Sequence, residues 1–288
     1  MGPSGILGRI VERTLEDVRR RLPDTSSREL EEKAAGRARQ RREFRGVLRR
    51  DLQEEPVRFL GEVKKASPSK GLLRADLDPA GLAAAYREHG ARAISVVTEP
   101  HFFEGDPGFL ESARRGAREL PLLRKDFHVH ELQVLETAAS EADALLLILA
   151  VLSPMQLKDY LDVAREFSLD HLVEVADLKE AETALKAGAG VVGVNNRDLA
   201  TFDVDLSRTF RVLPLLREAD VVSVAESGIR DRATVIRLEE HGVHALLVGE
   251  ALVTSEDPGG TLLELRGLSR RSRGEEFPGT EEGGKEFS

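Results

Sequence analysis

From residue 57 onward, short runs of β-branched residues and leucine alternate with segments long enough to be helices, and this alternation constrains the fold more than any other feature. The runs cover residues 58–63, 93–98, 122–124, 144–148, 171–175, 191–195, 221–225 and 245–248. Between them, segments such as 79–89, 154–167, 178–187 and 232–241 carry apolar residues at helical spacing. Ala144-Leu145-Leu146-Leu147-Ile148 and Ala245-Leu246-Leu247-Val248 are continuously apolar. Strands read this way when crossover helices bury both faces of a parallel sheet. Eight strand–helix units over roughly 200 residues match a (β/α)8 barrel, an α/β fold of the TIM type. A doubly wound sheet is the runner-up on spacing alone. It calls for a G-x-G-x-x-G turn after an early strand, and none is present.

Ahead of these runs, Ile6, Ile10, Val11, Leu15, Val18 and Leu22 fall at helical spacing and Pro23 stops the pattern. Ser26 or Ser27 is placed to cap a second, highly charged helix reaching about Arg49. The stretch from Arg37 to Arg50 is rich in arginine and poor in aromatics, with glutamates before it. That pattern favours a solvated helix face over a nucleic-acid patch. The expected organisation is a helical extension over 1–50 packed on the barrel, a catalytic barrel over 51–268, and a disordered tail over 269–288. The tail is rich in Gly, Glu, Arg and Lys, with too little apolar content to offset the entropy of ordering. A formal net charge of −9 disfavours general nucleic-acid binding, so an anionic ligand has to be held by local positive charge. The chain has no cysteine, which excludes disulfides, thiolate nucleophiles and cysteine-bound metals. No apolar run approaches the roughly 20 residues of a membrane helix, and the N-terminus lacks the layout of a secretory signal. A cytoplasmic setting without membrane or nucleic-acid partners is expected.

On a barrel template the chemistry lies at the C-terminal ends of the strands, and here those ends are unusually polar. The first carries Glu62 and Lys64, the second Thr98-Glu99, the third Lys125-Asp126, the fifth Glu174 and the sixth Asn195 and Arg197. The seventh ends in Glu226-Ser227-Gly228 and the eighth in Gly249-Glu250. Any one of these is ordinary as an ion pair or a loop charge. Polar groups at most of the eight ends, converging on one rim, are hard to explain as packing. The loop Ser67-Pro68-Ser69-Lys70-Gly71 offers hydroxyls and a permissive glycine. Together with the glycine turns after the last two strands, it suits a phosphate.

These motifs are recognisable as a set. Residues 62–71 (EVKKASPSKG), 95–105 (SVVTEPHFFEG), 123–127 (LRKDF), 172–175 (LVEV), 193–205 (GVNNRDLATFDVD), 225–229 (AESGI) and 247–252 (LVGEAL) closely resemble the indole-3-glycerol-phosphate synthases of tryptophan biosynthesis, in family order. The resemblance implies ring closure, decarboxylation and dehydration of 1-(2-carboxyphenylamino)-1-deoxyribulose 5-phosphate. It implies Lys125 as general acid, Glu174 as a proton acceptor or donor in the dehydration, and Lys64 as holder of the anthranilate carboxylate. Glu62 and Asn195 would orient these groups, with Glu226, Ser227 and Glu250 completing the polar rim. Ser67, Gly228 and Gly249 would hold the phosphate, Arg197 would serve the anion or its network, and Phe103 and Phe127 would flank the substrate ring. Neighbouring lysines are expected to depress the pKa of Lys125. No metal or organic cofactor is called for. Two departures from the family pattern are Ala176, where a histidine is often expected, and Gly61, where alanine is common and glycine would loosen the strand. A related phosphate-binding isomerase barrel is disfavoured, because that family is expected to use a cysteine. A non-catalytic scaffold barrel would predict erosion of Glu62, Lys64, Lys125 or Glu174, and all four are present. A monomer or weak homodimer is expected, the latter through the apolar stripe of the N-terminal helix.

Overall fold

A computed structural model describes residues 5–268, so the segment expected to be a disordered tail lies outside the described residues. Eight parallel strands close into a barrel: β1 (Arg58–Val63), β2 (Ala93–Val97), β3 (Leu122–Lys125), β4 (Ala144–Ile148), β5 (Asp170–Val175), β6 (Val191–Asn195), β7 (Val222–Glu226) and β8 (Ala245–Val248). Each pairs with its sequence neighbour, and β1 closes on β8 with Arg58 opposite Ala245. The strands start and stop within a residue of the apolar runs. The (β/α)8 expectation holds.

Side chains alternate across each strand, so one set fills the barrel and the other meets the surrounding helices. Leu60, Ala93, Leu123, Leu146, Leu172, Val191, Val224 and Leu247 form the inner set, all at or near zero exposure. Each such leucine contributes about 1.5–3 kcal/mol by leaving water. The outer helices are α4 (Pro79–Glu88), α5 (Gly108–Ala117), α6 (Glu131–Ala138), α7 (Pro154–Glu166), α8 (Leu178–Lys186), α9 (Ser207–Glu218), α10 (Arg232–Glu240), α11 (Glu250–Val253) and α12 (Pro258–Leu265). Their starts are set by local chemistry. Asp78, Ser153, Asp177, Asp231 and Asp257 each accept a backbone N–H of the first turn, and proline follows three of them.

Three helices precede the barrel: α1 (Gly5–Arg21), α2 (Ser27–Ala38) and α3 (Phe44–Leu48). The second helix expected to reach Arg49 is therefore two helices, capped at Ser26 and interrupted between Ala38 and Phe44. The interruption lets Asp170, at the start of β5, accept the N–H groups of Phe44 and Arg45, while Asp143 accepts that of Arg42. Phe44 and Leu48 join the inner cluster at its lower end, and so plug the barrel. Four of the arginines are not a solvated face either, although Arg39 and Arg45 are exposed. Arg41 donates to the carbonyls of Ala138, Ala142 and Phe167, Arg37 to Ser140, Arg49 to Asp220, and Arg50 to Val243 and Glu239. These carbonyls end helices or lead into strands, where helix geometry leaves acceptors unused and a cation suits the dipole.

Candidate active site

At the other end of the barrel the inward positions turn polar. Two residues above Leu60 stands Glu62, above Leu123 Lys125, above Leu172 Glu174, and above Val224 Glu226. Register keeps them level: Glu174 lies opposite Gly193 on β6, and Asn195 opposite Glu226 on β7. Lys125 Nζ donates to Glu226 Oε2 at 2.7 Å and to Glu174 Oε2 at 3.2 Å. Asn195 Nδ2 donates to Glu174 Oε1 at 2.8 Å. Lys64 donates to Glu62 at 2.5 Å, and Arg197 lies 3.5 Å from Glu250 and 3.2 Å from the Phe202 carbonyl. The cations are gathered as expected, but each is paired with a carboxylate.

That pairing overturns the expectation for Lys125. Burial opposes its charge, yet Glu226, Glu174 and Glu62 together outweigh burial and hold its pKa above the ordinary lysine value. Carboxylates, not lysines, are its neighbours. The perturbation falls on Glu226 instead. Burial pushes its pKa up to about 7, with Glu174 and Glu62 adding to the effect against the pull of Lys125. Its Oε1 is buried without a partner. Only glycine leaves room for that oxygen, because a Cβ on Gly193 would meet it at 2.1 Å. Glu62 behaves oppositely: burial raises its pKa, but Lys64 and Lys125 bring it below the usual range.

All fourteen residues singled out in the sequence line one cavity of about 160 Å³. The rings of Phe103 and Phe127, 6.1 Å apart, form an apolar wall beside Lys125. Ser67, Ser69, Gly228 and Gly249 lie among the remaining lining residues. Ser227 (φ 66°) and Gly228 (φ 81°) both sit in the left-handed region, and a Cβ at Gly228 would strike Val204. Ile6, Leu7 and Ile10 of α1 line the cavity too. The apolar stripe of α1 is thus used within the chain, with Ile10 and Val18 buried. The helix is fastened to the loop after β2 by Asp17, 2.5 Å from His101 Nε2, and by Arg9 over the Phe102 ring.

Comparison with known proteins identifies the family. A sequence profile described as indole-3-glycerol phosphate synthase matches residues 7–265. The chain belongs to that family. Similar proteins include the indole-3-glycerol phosphate synthases of Chlorobium phaeobacteroides, 45% identical over 75% of this chain and 82% of its own length, and of Dehalococcoides mccartyi, 48% identical over 74% and 83%. That of Sulfurimonas denitrificans is 39% identical over 91% of this chain and 98% of its own length. Among solved structures, thiamine phosphate pyrophosphorylase from Pyrococcus furiosus (TM-score 0.56, 19% identity, 73% of this chain and 94% of that one) shares the fold. So does 3-hexulose-6-phosphate synthase (TM-score 0.55, 13% identity, 74% and 100%).

Residues beyond the fourteen also shape this cavity. Glu99, 2% exposed, accepts the N–H groups of His101, Phe102 and Phe103 and so shapes the loop that presents Phe103. Its signal was a carboxylate at a strand end in TEPHFF. Asn196, fully buried behind Asn195, donates to the carbonyls of Glu226 and Ser227 and accepts from Thr209, which fixes the strained turn. Nothing in the pair Asn195-Asn196 tells which of the two faces the cavity except the strand period. Gly61 does not loosen β1: a Cβ there would lie 2.4 Å from the Tyr86 ring, whose hydroxyl donates to the Glu62 carbonyl. A second cavity, about 460 Å³, adjoins the first and shares Leu7, Ile148, Glu174, Asn195, Arg197 and Leu199 with it. Ala176 and Glu180 stand in its wall. Among the described residues no group of three or more His, Asp or Glu is arranged to hold a metal ion.

Proposed function

We propose that this cavity carries out the reaction for which the family is named, converting 1-(2-carboxyphenylamino)-1-deoxyribulose 5-phosphate to indole-3-glycerol phosphate with loss of carbon dioxide and water. One observation supports the division of labour most directly: a largely buried lysine, Lys125, is held between Glu174 and Glu226 beside an aromatic wall. Lys125 stays cationic and points at the place where an oxyanion would develop. It therefore serves as general acid and electrostatic stabiliser of the closing ring. Glu174, steadied by Asn195, takes and returns protons in the dehydration. Lys64 exchanges Glu62 for the substrate carboxylate, and Arg197 exchanges Glu250 in the same way when the anionic substrate enters. Each displaced carboxylate keeps a second cation: Lys125 acts on Glu62, and Arg230 lies 3.2 Å from Glu250. Phe103 and Phe127 flank the anthranilate ring. Ser67 and the backbone at Gly228 and Gly249 receive the phosphate, with Ser227, Glu226 and Glu250 framing them.

We place the chain in the cytoplasm, acting on a soluble phosphorylated substrate as a monomer or weak homodimer. Among the described residues, no helix is long and apolar enough to cross a membrane. Turnover of the purified chain, followed by indole fluorescence beside Lys125→Met, tests the assignment. Loss of about 10²–10⁴-fold in kcat with the fold intact is expected. A Met variant as fast as the parent would remove Lys125 from the role.

A further inference from the structure

The reaction assigned above, on which this inference rests, takes up one proton per turnover. Ring closure places a proton on the carbonyl oxygen. Departure of carbon dioxide returns the electron pair of the breaking C–C bond to the ring. Loss of water then consumes a second proton on the departing hydroxyl and releases one from carbon. Two are taken up and one is returned, so one must arrive from solvent. Substrate in the first cavity, with Ile6, Leu7 and Ile10 of α1 at its wall, stands between bulk water and Lys125.

The second cavity reaches the same carboxylate from another side. Glu174 is 5% exposed and lines both spaces. The outer part of the second is lined by the exposed residues Asp177, Ala200 and Arg211, so it leads from the surface to the catalytic level. Its volume exceeds by many times the roughly 30 Å³ share of one water, and its wall is polar enough to keep water there. The space lies open beside position 176, two residues beyond Glu174, where Ala176 supplies only a methyl group.

We propose that this second cavity is a solvent port through which protons reach Glu174, with Glu180 as the relay in its wall. Glu180 is half-buried on the first turn of α8 and accepts the Ala176 N–H at 2.8 Å. Burial pushes its carboxyl pKa up and the Ala176 N–H pulls it back, while Asp177 and Glu174 raise it further against Arg208. The other charged groups in the port are Arg197, Asp198 and Arg211. Asp198 is bound to Arg208, Asp177 is held at the start of α8 by accepting the Glu180 N–H, and Arg197 is close to Glu250, which leaves Glu180 as the carboxyl suited to carry a proton. A proton passes from water to Glu180, on through water in the port to Glu174, and so to the departing hydroxyl. Glu180 touches no reacting atom and is a positioning and relay residue.

The test compares the purified full chain with Glu180→Gln and Ala176→Leu, measuring kcat against pH in light and heavy water. Glu180→Gln is expected to lower kcat about five- to tenfold with KM within about twofold. It should also erase the fall in kcat that the parent shows once Glu180 deprotonates, and Glu180→Asp should restore that limb. Ala176→Leu, which fills the port without removing a charge, should enlarge the solvent isotope effect on kcat. An active parent whose Gln and Leu variants keep its kcat, pH profile and isotope effect would overturn the port and leave the reaction standing. A folded parent without turnover would sink the reaction, and the port with it.

Discussion

Three carboxylates, Glu62, Glu174 and Glu226, share two lysines at the polar end of the barrel, and Glu226 is the one left with a buried, unpartnered oxygen. Its pKa of about 7 lies above the ordinary 4.5, so the folded chain holds this proton more tightly than the unfolded chain does. The linkage sign follows from that difference. This group favours the fold fully below the unfolded value, and the favour is lost as pH climbs from 4.5 through about 7. A Glu226→Gln chain lacks the loss, so its melting temperature should gain on the parent by about 5–10 °C between pH 5 and pH 8. Calorimetry at the two pH values measures this, and an offset that does not change with pH would refute it. Glu62 works the other way: its lowered pKa lends stability at neutral pH that disappears on acidification.

At the scale of elements, the arginine-rich segment between α2 and β1 ties the lower turns of the barrel. Arg41 alone donates to three carbonyls, of Phe167, Ala142 and Ala138. Arg41→Ala should cost about 2–4 kcal/mol in urea unfolding and leave KM unchanged, since the site lies at the far end. A change in KM without loss of stability would contradict that separation. At the upper end, Leu7→Ser in α1 should raise KM several-fold and also lower the unfolding free energy by about 2–4 kcal/mol, because Leu7 lines the cavity and is buried in the inner cluster. Steady-state kinetics decide it, and an unaltered KM would detach α1 from the site. These elements also show where sequence is legible. Period and cap chemistry act locally, so the strands, the capped helices and the polar strand ends could be read residue by residue. Arg41 looked like a solvated charge because its acceptors lie on other helices. The sign of the Lys125 shift was misjudged for the same reason: Glu174 and Glu226 reach it from β5 and β7, and no spacing along β3 reports their approach.

For the molecule as a whole, the stripe of α1 is spent on its own barrel, and exposed apolar side chains such as Met155, Leu178 and Ile236 sit on separate helices. Light scattering at micromolar concentration should return the mass of one chain, and a two-chain mass there would contradict this. The arginine ties carry a further consequence for how the chain is made. Arg41 finds its acceptors 97 to 126 residues later, and Arg50 donates to the carbonyl of Val243, 193 residues on. At ribosomal speeds of about 5–20 residues per second, Arg50 waits roughly 10–40 s for that carbonyl to be synthesised. During that interval the guanidinium groups remain hydrated, beside a nascent chain that has strands but no closed sheet. The bottom of the barrel is therefore fastened last, by the part of the protein that was made first.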